Sequence, residues 1–294
     1  YRVCIDPRRI NDVSEDDKFP IPLMFDILQE MLDSEELSEL DLEQSYTQFE
    51  VDSQDQQKTA FTWRGEHLMF AGAPFGLKHL TSVFQRVSQS ICEPLPLAHP
   101  LLDNVVVTSK SGQDHVENLI KTIDALTAQN LTLNLTKCKF GYSAIRTLGH
   151  FVTKDGLLPD PTKLDELPDW PRPETGRDVH QFLGTMNFLR PFIPLFASIA
   201  SPLYTLTQIK GRLGSLWSKP CEDAFNSLRA MLARAPLLAK PDFNRKFYVA
   251  TDASQYGIGA VLYQLNPEDE AQPLKAPPDK RRYISLISRT LHKG

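Results

Sequence analysis

Long apolar runs are missing from this sequence. None approaches the roughly 18 residues needed to cross a bilayer, and the opening YRVCIDPRRIN has no apolar core of the signal-peptide kind. The expected location is therefore intracellular, with no membrane partner. Cysteine is scarce. Cys4, Cys92, Cys138 and Cys221 stand far apart without a C-x-x-C pair, which argues against structural zinc and a dense disulfide framework and predicts free, mostly buried thiols. An excess of positive charge is also absent: 32 Lys and Arg against 37 Asp and Glu leave a formal charge of -5, which disfavours a simple nucleic-acid coat. An enzyme with a local groove stays open. No repeat period is present, so solenoids are excluded.

What is present is ordinary globular material, 294 residues with 41% hydrophobic and 23% charged content, enough for about two domains. YRVCIDPRRIN has a short strand pattern. LMFDILQEML puts Met24, Ile27, Leu28 and Met31 on one helical face. SELDLEQSYTQFEV reads as a strand entering a turn, and KTAFTWRGEHLMF as a hairpin about RG. TSVFQRVSQSIC predicts a helix with Val83, Val87 and Ile91 in line, and HPLLDNVVVTSK a second hairpin. Asp114 is the expected N-cap of a helix whose face carries Val116, Leu119, Ile120, Ile123 and Leu126. LTLNLTKCKFG and IRTLGHFVT suggest a strand pair. Five prolines within GLLPDPTKLDELPDWPRPE mark a boundary or extended linker, followed by the helical patterns GRDVHQFLGTMNFLRPFIPLF and CEDAFNSLRAMLARA. Strands return in KFYVATDASQYGIGAVLYQ and RRYISLISRTL. The class is α+β. Three final strands with no helix after them are too few for a core of ordinary size, which points to a domain cut short.

Two isolated acids on otherwise apolar strands stand out, Asp41 in ELDLEQSY and Asp103 in LLDN. A carboxylate among strand residues is costly unless paired, hydrogen-bonded or bound to metal. Alone, each is as well read as a turn or cap acid. Arg8 by itself is an ordinary surface arginine and Tyr46 an ordinary core ring. His67, His150 and His180 lack ligand spacing and read as solvated or hydrogen-bonded.

The words VCIDPRRIN, FPIP, LDLEQSYTQFEV, KTAFTW, APFGL, FQR, LDN, KCKFG, LGHFVTKDG, DWPRP, FLGTMNFLRPFIP and TDASQYGIGAVL occur in the order of their counterparts in the pol polyproteins of gypsy-type (Ty3-like) long-terminal-repeat retrotransposons. The resemblance covers essentially the whole chain. It implies a right-hand polymerase of fingers, palm and helical thumb followed by an incomplete ribonuclease H-like domain. Residues 1–155 would be fingers and palm, lacking the N-terminus, 156–240 thumb and linker, and 241–294 the truncated start of the ribonuclease H-like domain. The implied activity is RNA-directed DNA synthesis on an RNA or DNA template with primer and dNTPs, using Mg²⁺ or Mn²⁺. Asp41 and Asp103 take the positions of the metal-binding palm carboxylates, and Lys137 that of a lysine able to protonate the leaving pyrophosphate. Arg8 resembles the residue that contacts the triphosphate. Tyr46 resembles the ring that excludes a ribose 2'-hydroxyl, and Pro74, Phe75 and Gly76 the loop bordering the nucleotide pocket. Leu148 and Gly149 resemble the primer grip, and Asp252 the first ribonuclease H carboxylate. Oligomeric state stays open.

The match departs from the family at its centre. The family hairpin reads aromatic-x-Asp-Asp, whereas residues 101–104 are Leu, Leu, Asp and Asn, so Asn104 replaces an acid and Leu101 an aromatic. Pro100 interrupts a strand expected in the middle of the palm sheet, where a lost ladder donor is normally avoided. One charge fewer beside the cations predicts weak or absent catalysis. The alternative is a non-catalytic nucleic-acid- or protein-binding module derived from a retroelement.

Overall fold

ELSELD and the β-branched run NVVVTS lie side by side as extended chain buried on both faces, and around them the first of two units is built. The computed structural model describes residues 3–255, 257–270 and 276–291. It divides into units Tyr1–Ile145 and Arg146–Gly294. The first unit begins with helices α1 (Arg8–Val13) and α2 (Met24–Met31). It continues through β1 (Glu36–Asp41), the hairpin β2 (Phe61–Trp63) and β3 (Glu66–Leu68), and helix α3 (Leu80–Cys92). Then come β4 (Ala98–Leu101), β5 (Asn104–Ser109), α4 (Gly112–Ala128) and β6 (Lys139–Tyr142). Its sheet has the order β4-β5-β1-β6, and β1 is antiparallel to β5 with Leu40 opposite Val105. Leu40, Val105 and Val107 pack with Phe84 of α3 and Leu126 of α4 in one buried cluster. This cluster covers one face of the sheet and fixes its register, because a one-residue slip would turn these side chains to the other face.

Several sequence expectations are corrected here. The strand pattern of YRVCIDPRRIN is a helix at Arg8–Val13, started by Pro7, which lacks the N–H that a first helical turn leaves unbonded. α3 buries Leu80, Phe84, Gln85, Ser88 and Cys92, while Val83, Val87 and Ile91 are only half-buried. Two polar residues on the inner face disguised it. α4 is capped by Ser111, whose Oγ accepts from the Asp114 N–H, so Asp114 lies three residues inside the helix. Ser111→Ala should lower stability by about 1 kcal/mol in urea titration. α4 buries His115, Thr122 and Leu126, leaving Val116 and Ile120 more than half exposed. His115 is held between Ser38 and Ser109, 2.6 and 3.1 Å away, so a polar pair draws that face inward.

Pro100 is also better placed than expected. β4 is the edge of its sheet, and Pro100 lies opposite Val105, one residue from the Leu101–Asn104 pair that closes the turn. Hydrogen-bonded positions alternate along such a pair, so an N–H at 100 would face the open edge and no ladder donor is lost.

The second unit follows β7 (Ala144–Thr147), in which the chain leaves the first. It holds β8 (His150–Thr153), β9 (Gly156–Pro159), α5 (Pro161–Asp165), α6 (Gly176–Phe188), α7 (Phe196–Tyr204), α8 (Lys219–Leu232) and β10 (Leu238–Ala239). Lys139–Tyr142 pairs with β1, so the expected pair across LTLNLTKCKFG and IRTLGHFVT is not formed. The second segment instead turns back on itself at Leu148 and Gly149. The first part of the proline-rich stretch is β9 rather than linker: it lies between β8 and β10, and Leu157 is fully buried. Strands β11 (Tyr248–Ala253), β12 (Gly257–Gln264) and β13 (Arg282–Thr290) form an antiparallel sheet in that order. One face of it meets the start of α7, where a Cβ on Gly259 would lie 2.5 Å from Leu195. Cys92 and Cys221 are buried, Cys138 half-buried and Cys4 exposed, and all four are free. Among the described residues no helix is long and apolar enough to cross a membrane.

Candidate active site

The hairpin between β4 and β5 turns over two residues, Leu102 and Asp103, with Leu102 at φ +53°. Left-handed backbone is uncommon for a residue with a Cβ and costs about 1–2 kcal/mol. The Asp103 carbonyl accepts from the Leu42 N–H at 3.0 Å, which ties the turn to the end of β1. Asp41 is the last residue of β1 and lies directly opposite Asn104. Opposed residues of an antiparallel pair point to one face. That face is the reverse of the one carrying Leu40 and Val105. The structure thus brings Asp41, Asp103 and Asn104 to one end of the sheet. Among the described residues, no group of three or more His, Cys, Asp or Glu side chains is set to hold a metal ion.

The Asp41 side chain is 18% exposed, and burial pushes its carboxyl above the usual range. Lys137 opposes the shift from 3.5 Å, while the charges of Asp103 and Glu39 add to it. Lys137 comes from the segment before β6, where Lys137 and Cys138 donate their N–H groups to the Asn134 carbonyl and the Asn134 N–H donates to the Asp41 carbonyl. The Asp41 N–H donates to the Cys138 Sγ at 3.3 Å, and burial pushes that thiol up. One acid is therefore partly desolvated, beside a second acid and a largely exposed lysine.

Beyond Asp41 the chain enters a short 3₁₀ turn over Ser45–Gln48, where Tyr46 stands edge-on to Phe75 and Phe84 with centroids 5.6 and 5.5 Å away. Tyr46 and Phe75 are thus brought together. Gly76, at φ +95°, lies against Pro7, whose Cγ is 3.0 Å from where a Cβ would be. Asn11 clamps the same loop, donating from Nδ2 to the Gly76 carbonyl at 2.8 Å and accepting from the Lys78 N–H at 2.9 Å. Arg8 shares α1 with Asn11, but its guanidinium is exposed and paired with Asp6, whose carboxyl it holds down at about 2.

Within the second unit, Leu148 and Gly149 are both at positive φ, +50° and +71°, the combination that tight two-residue hairpin turns require. His150 is buried between Phe188 and Phe192, with Nδ1 3.0 Å from the Leu148 carbonyl. Asp252 is exposed on β11 opposite Gly259, its Oδ1 accepting from the Ala253 N–H at 2.9 Å. It lines an open cavity of about 510 Å³ with Thr251, Ile258, Ile287 and Arg289.

Two residues with no assigned role hold these parts. Asn11 is one. Gln85 is the other: fully buried in α3, it accepts from the Leu102 N–H at 2.8 Å and donates to the Pro100 carbonyl at 3.0 Å. No signal in its own segment marks Gln85, because the apolar residues Val83, Val87 and Ile91 point the predicted inner face elsewhere.

Comparison with known proteins adds two kinds of likeness. The family profile described as reverse transcriptase (RNA-dependent DNA polymerase) matches residues 1–152, and that of the RNase H-like domain found in reverse transcriptase matches residues 217–293. The chain is 35% identical to the retrovirus-related Pol polyprotein of transposon 297 from Drosophila melanogaster over 294 residues, 99% of this chain and 26% of that protein. It is 32% identical to the gypsy Pol polyprotein of the same organism, covering 99% of this chain and 28% of the other. The Tf2-7 transposon polyprotein of Schizosaccharomyces pombe is 28% identical over 93% of this chain and 20% of its own length. The chain thus spans between a fifth and three tenths of these relatives. A foamy viral protease-reverse transcriptase, solved in complex with RNA/DNA hybrid, superposes with TM-score 0.81 at 19% identity, over 98% of this chain and 37% of that one. That likeness is one of fold.

Proposed function

Because the chain belongs to the reverse transcriptase (RNA-dependent DNA polymerase) family, we propose that it is the polymerase segment of a gypsy-type retroelement Pol polyprotein, carrying out template-directed nucleotidyl transfer with a weakened metal site. The observation that carries this reading is the meeting of Asp41, Asp103 and Asn104 at one end of the β4-β5-β1-β6 sheet. Fingers and palm would occupy residues 1–155, thumb and linker 156–240, and the start of a ribonuclease H-like domain 241–294. The substrates would be an RNA or DNA template with primer and dNTPs, inside the cell. Asp252 would be the first ribonuclease H carboxylate.

Asp41 and Asp103 offer hard oxygen donors that fit Mg²⁺ or Mn²⁺, ions that bind through one or two carboxylates and complete their shell with water and phosphate oxygen. Such an ion supplies charge neutralisation and polarises the attacking and leaving oxygens. The remaining roles fall to the chain. Lys137 must leave Asp41, which its exposed, flexible stem allows, and its ammonium is then free to give a proton to departing pyrophosphate. Arg8 must likewise exchange Asp6 for a triphosphate. Tyr46, wedged between Phe75 and Phe84, has little freedom to yield to an extra hydroxyl, so it can select by shape. Leu148 and Gly149 would present backbone to the primer.

Primer extension on an RNA template with Mg²⁺ or Mn²⁺ tests the reading. Slow, metal-dependent synthesis supports it; robust synthesis overturns the weakened site, and failure to bind primer-template overturns the assignment. The raised pKa of Asp41 gives a second check. A cation must displace a proton at pH values where an ordinary aspartate, with a pKa of about 3.9, is already ionised. Mn²⁺ affinity, read by electron paramagnetic resonance, should therefore start to fall on acidification above that range, and Asp41→Asn should remove this dependence. The sign for stability is opposite. The folded chain binds more protons than the unfolded one in that window, so the contribution of Asp41 to metal-free stability declines as pH rises through it.

A further inference from the structure

The edge strand β4 ends with two backbone groups that its partner cannot satisfy. Leu101 and Asn104 close the turn, so the Pro100 carbonyl points away from β5, and the Leu102 N–H does the same from within the turn. Both meet Gln85. Its Oε1 accepts from the Leu102 N–H at 2.8 Å and its Nε2 donates to the Pro100 carbonyl at 3.0 Å. A carboxamide carries the donor and acceptor of a peptide group, and bonding the C=O of one residue and the N–H two residues on is what one residue of a neighbouring parallel strand does. Gln85 thus stands in for a strand that the sheet lacks. Pro100 suits this arrangement, since it leaves no unpaired N–H on the same edge just before the bonded carbonyl.

We propose that Gln85 is a positioning residue for the metal-binding hairpin, its amide pairing with the open edge of β4 and holding Leu102 left-handed so that Asp103 is presented beside Asp41. The turn is pinned from both sides, by Gln85 at the outer edge and by the Leu42 N–H on the Asp103 carbonyl at 3.0 Å. The amide is also fixed in orientation, because exchanging its ends would set NH₂ against the Leu102 N–H and oxygen against the Pro100 carbonyl. Leucine has no local means of stabilising φ +53°. An outside bond to its N–H supplies one. Gln85 is fully buried, so water does not compete for either contact.

The test uses the whole chain and two variants, Gln85→Met, which keeps bulk without the amide, and Gln85→Glu, which keeps the acceptor for Leu102 but loses the donor to Pro100. In amide hydrogen exchange followed by NMR, Gln85→Met should speed the Leu102 amide by about a hundredfold while Val105 and Val107 stay within about threefold. Gln85→Glu should retain most of the Leu102 protection. In Mn²⁺ binding, Gln85→Met should weaken affinity by about tenfold, and adding Leu102→Gly, which removes the left-handed strain, should recover much of it. A residue that only fills the core would not be rescued at 102. An unchanged Leu102 amide in folded Gln85→Met overturns the proposal. So does global loss of protection in both variants, since Gln85 would then support the fold rather than the turn. The second readout rests on the metal-site reading above. If the unaltered chain binds no Mn²⁺, that reading fails, and hydrogen exchange still decides this one.

Discussion

Asn104→Asp raises the rate of primer extension by about two orders of magnitude, the scale on which single preorganised electrostatic groups act in active sites. The reason lies in register. Asn104 is directly opposite Asp41, on the same face and at the same end of the sheet as the Asp103 turn. An acid at 104 adds one negative charge without changing side-chain shape. Without metal the addition is unfavourable: Asp41 already carries a carboxyl raised by burial and by its acidic neighbours, and Lys137 at 3.5 Å is the cation counted against it. Like charges opposite each other in a sheet cost up to about 1 kcal/mol. The variant should therefore melt about 2–4 °C lower in chelator. With Mn²⁺ the order reverses, because affinity rises by about tenfold, or about 1.4 kcal/mol. Lower melting without metal and higher melting with it cannot come from altered packing, which would shift both in one direction. If extension does not quicken while Mn²⁺ binding tightens, Asn104 is not what limits the chemistry.

Elements that announce themselves by period and turn residues could be read directly. Glu36–Asp41, the RG hairpin and Asn104–Ser109 are short strands bounded by turn residues, and Met24–Met31 buries the side predicted from its apolar residues. Proline misled in three places for different reasons. Pro7 begins a helix, Pro100 sits where an edge strand has no donor to lose, and the stretch containing Pro159 is a strand whose Leu157 is fully buried. In each case the cost of proline depends on what faces its missing N–H, which neighbouring strands decide. α3 and α4 turn inward a different face from the one their apolar residues suggest, because Gln85, Ser88, His115 and Thr122 occupy inner faces and find their partners there. Asp41 and Asp103 were visible as isolated acids, whereas their meeting needed the β1–β5 register. Gln85 could not be recognised from its own segment, since both of its partners are backbone atoms 15 and 17 residues away.

The turn at Leu148 and Gly149 should respond in opposite directions to two small substitutions. Both residues have positive φ, but their surroundings differ. A Cβ at Gly149 would lie 2.6 Å from Phe188 Cζ and 2.8 Å from Lys163 Nζ. The lysine can move. The Phe188 ring cannot move freely, because it lies against His150 at 5.0 Å while the Lys163 ammonium sits 3.5 Å over its face. Gly149→Ala therefore combines left-handed strain of about 1–2 kcal/mol with overpacking of about 1 kcal/mol or more, and should destabilise the chain by about 2–3 kcal/mol. Leu148→Gly removes strain at φ +50° but frees the unfolded chain, and the balance is a gain of up to about 1 kcal/mol. The His150 Nδ1 contact to the Leu148 carbonyl survives either change, since it uses backbone. Urea titration of both variants checks the signs. If the turn grips primer through its backbone, Gly149→Ala should also weaken primer-template binding, while Leu148→Gly, leaving the carbonyl and its histidine in place, should bind nearly as the unaltered chain does. Equal loss of binding in the two would place the contact in the Leu148 side chain instead, and the turn would then act as an apolar wedge rather than as a backbone grip.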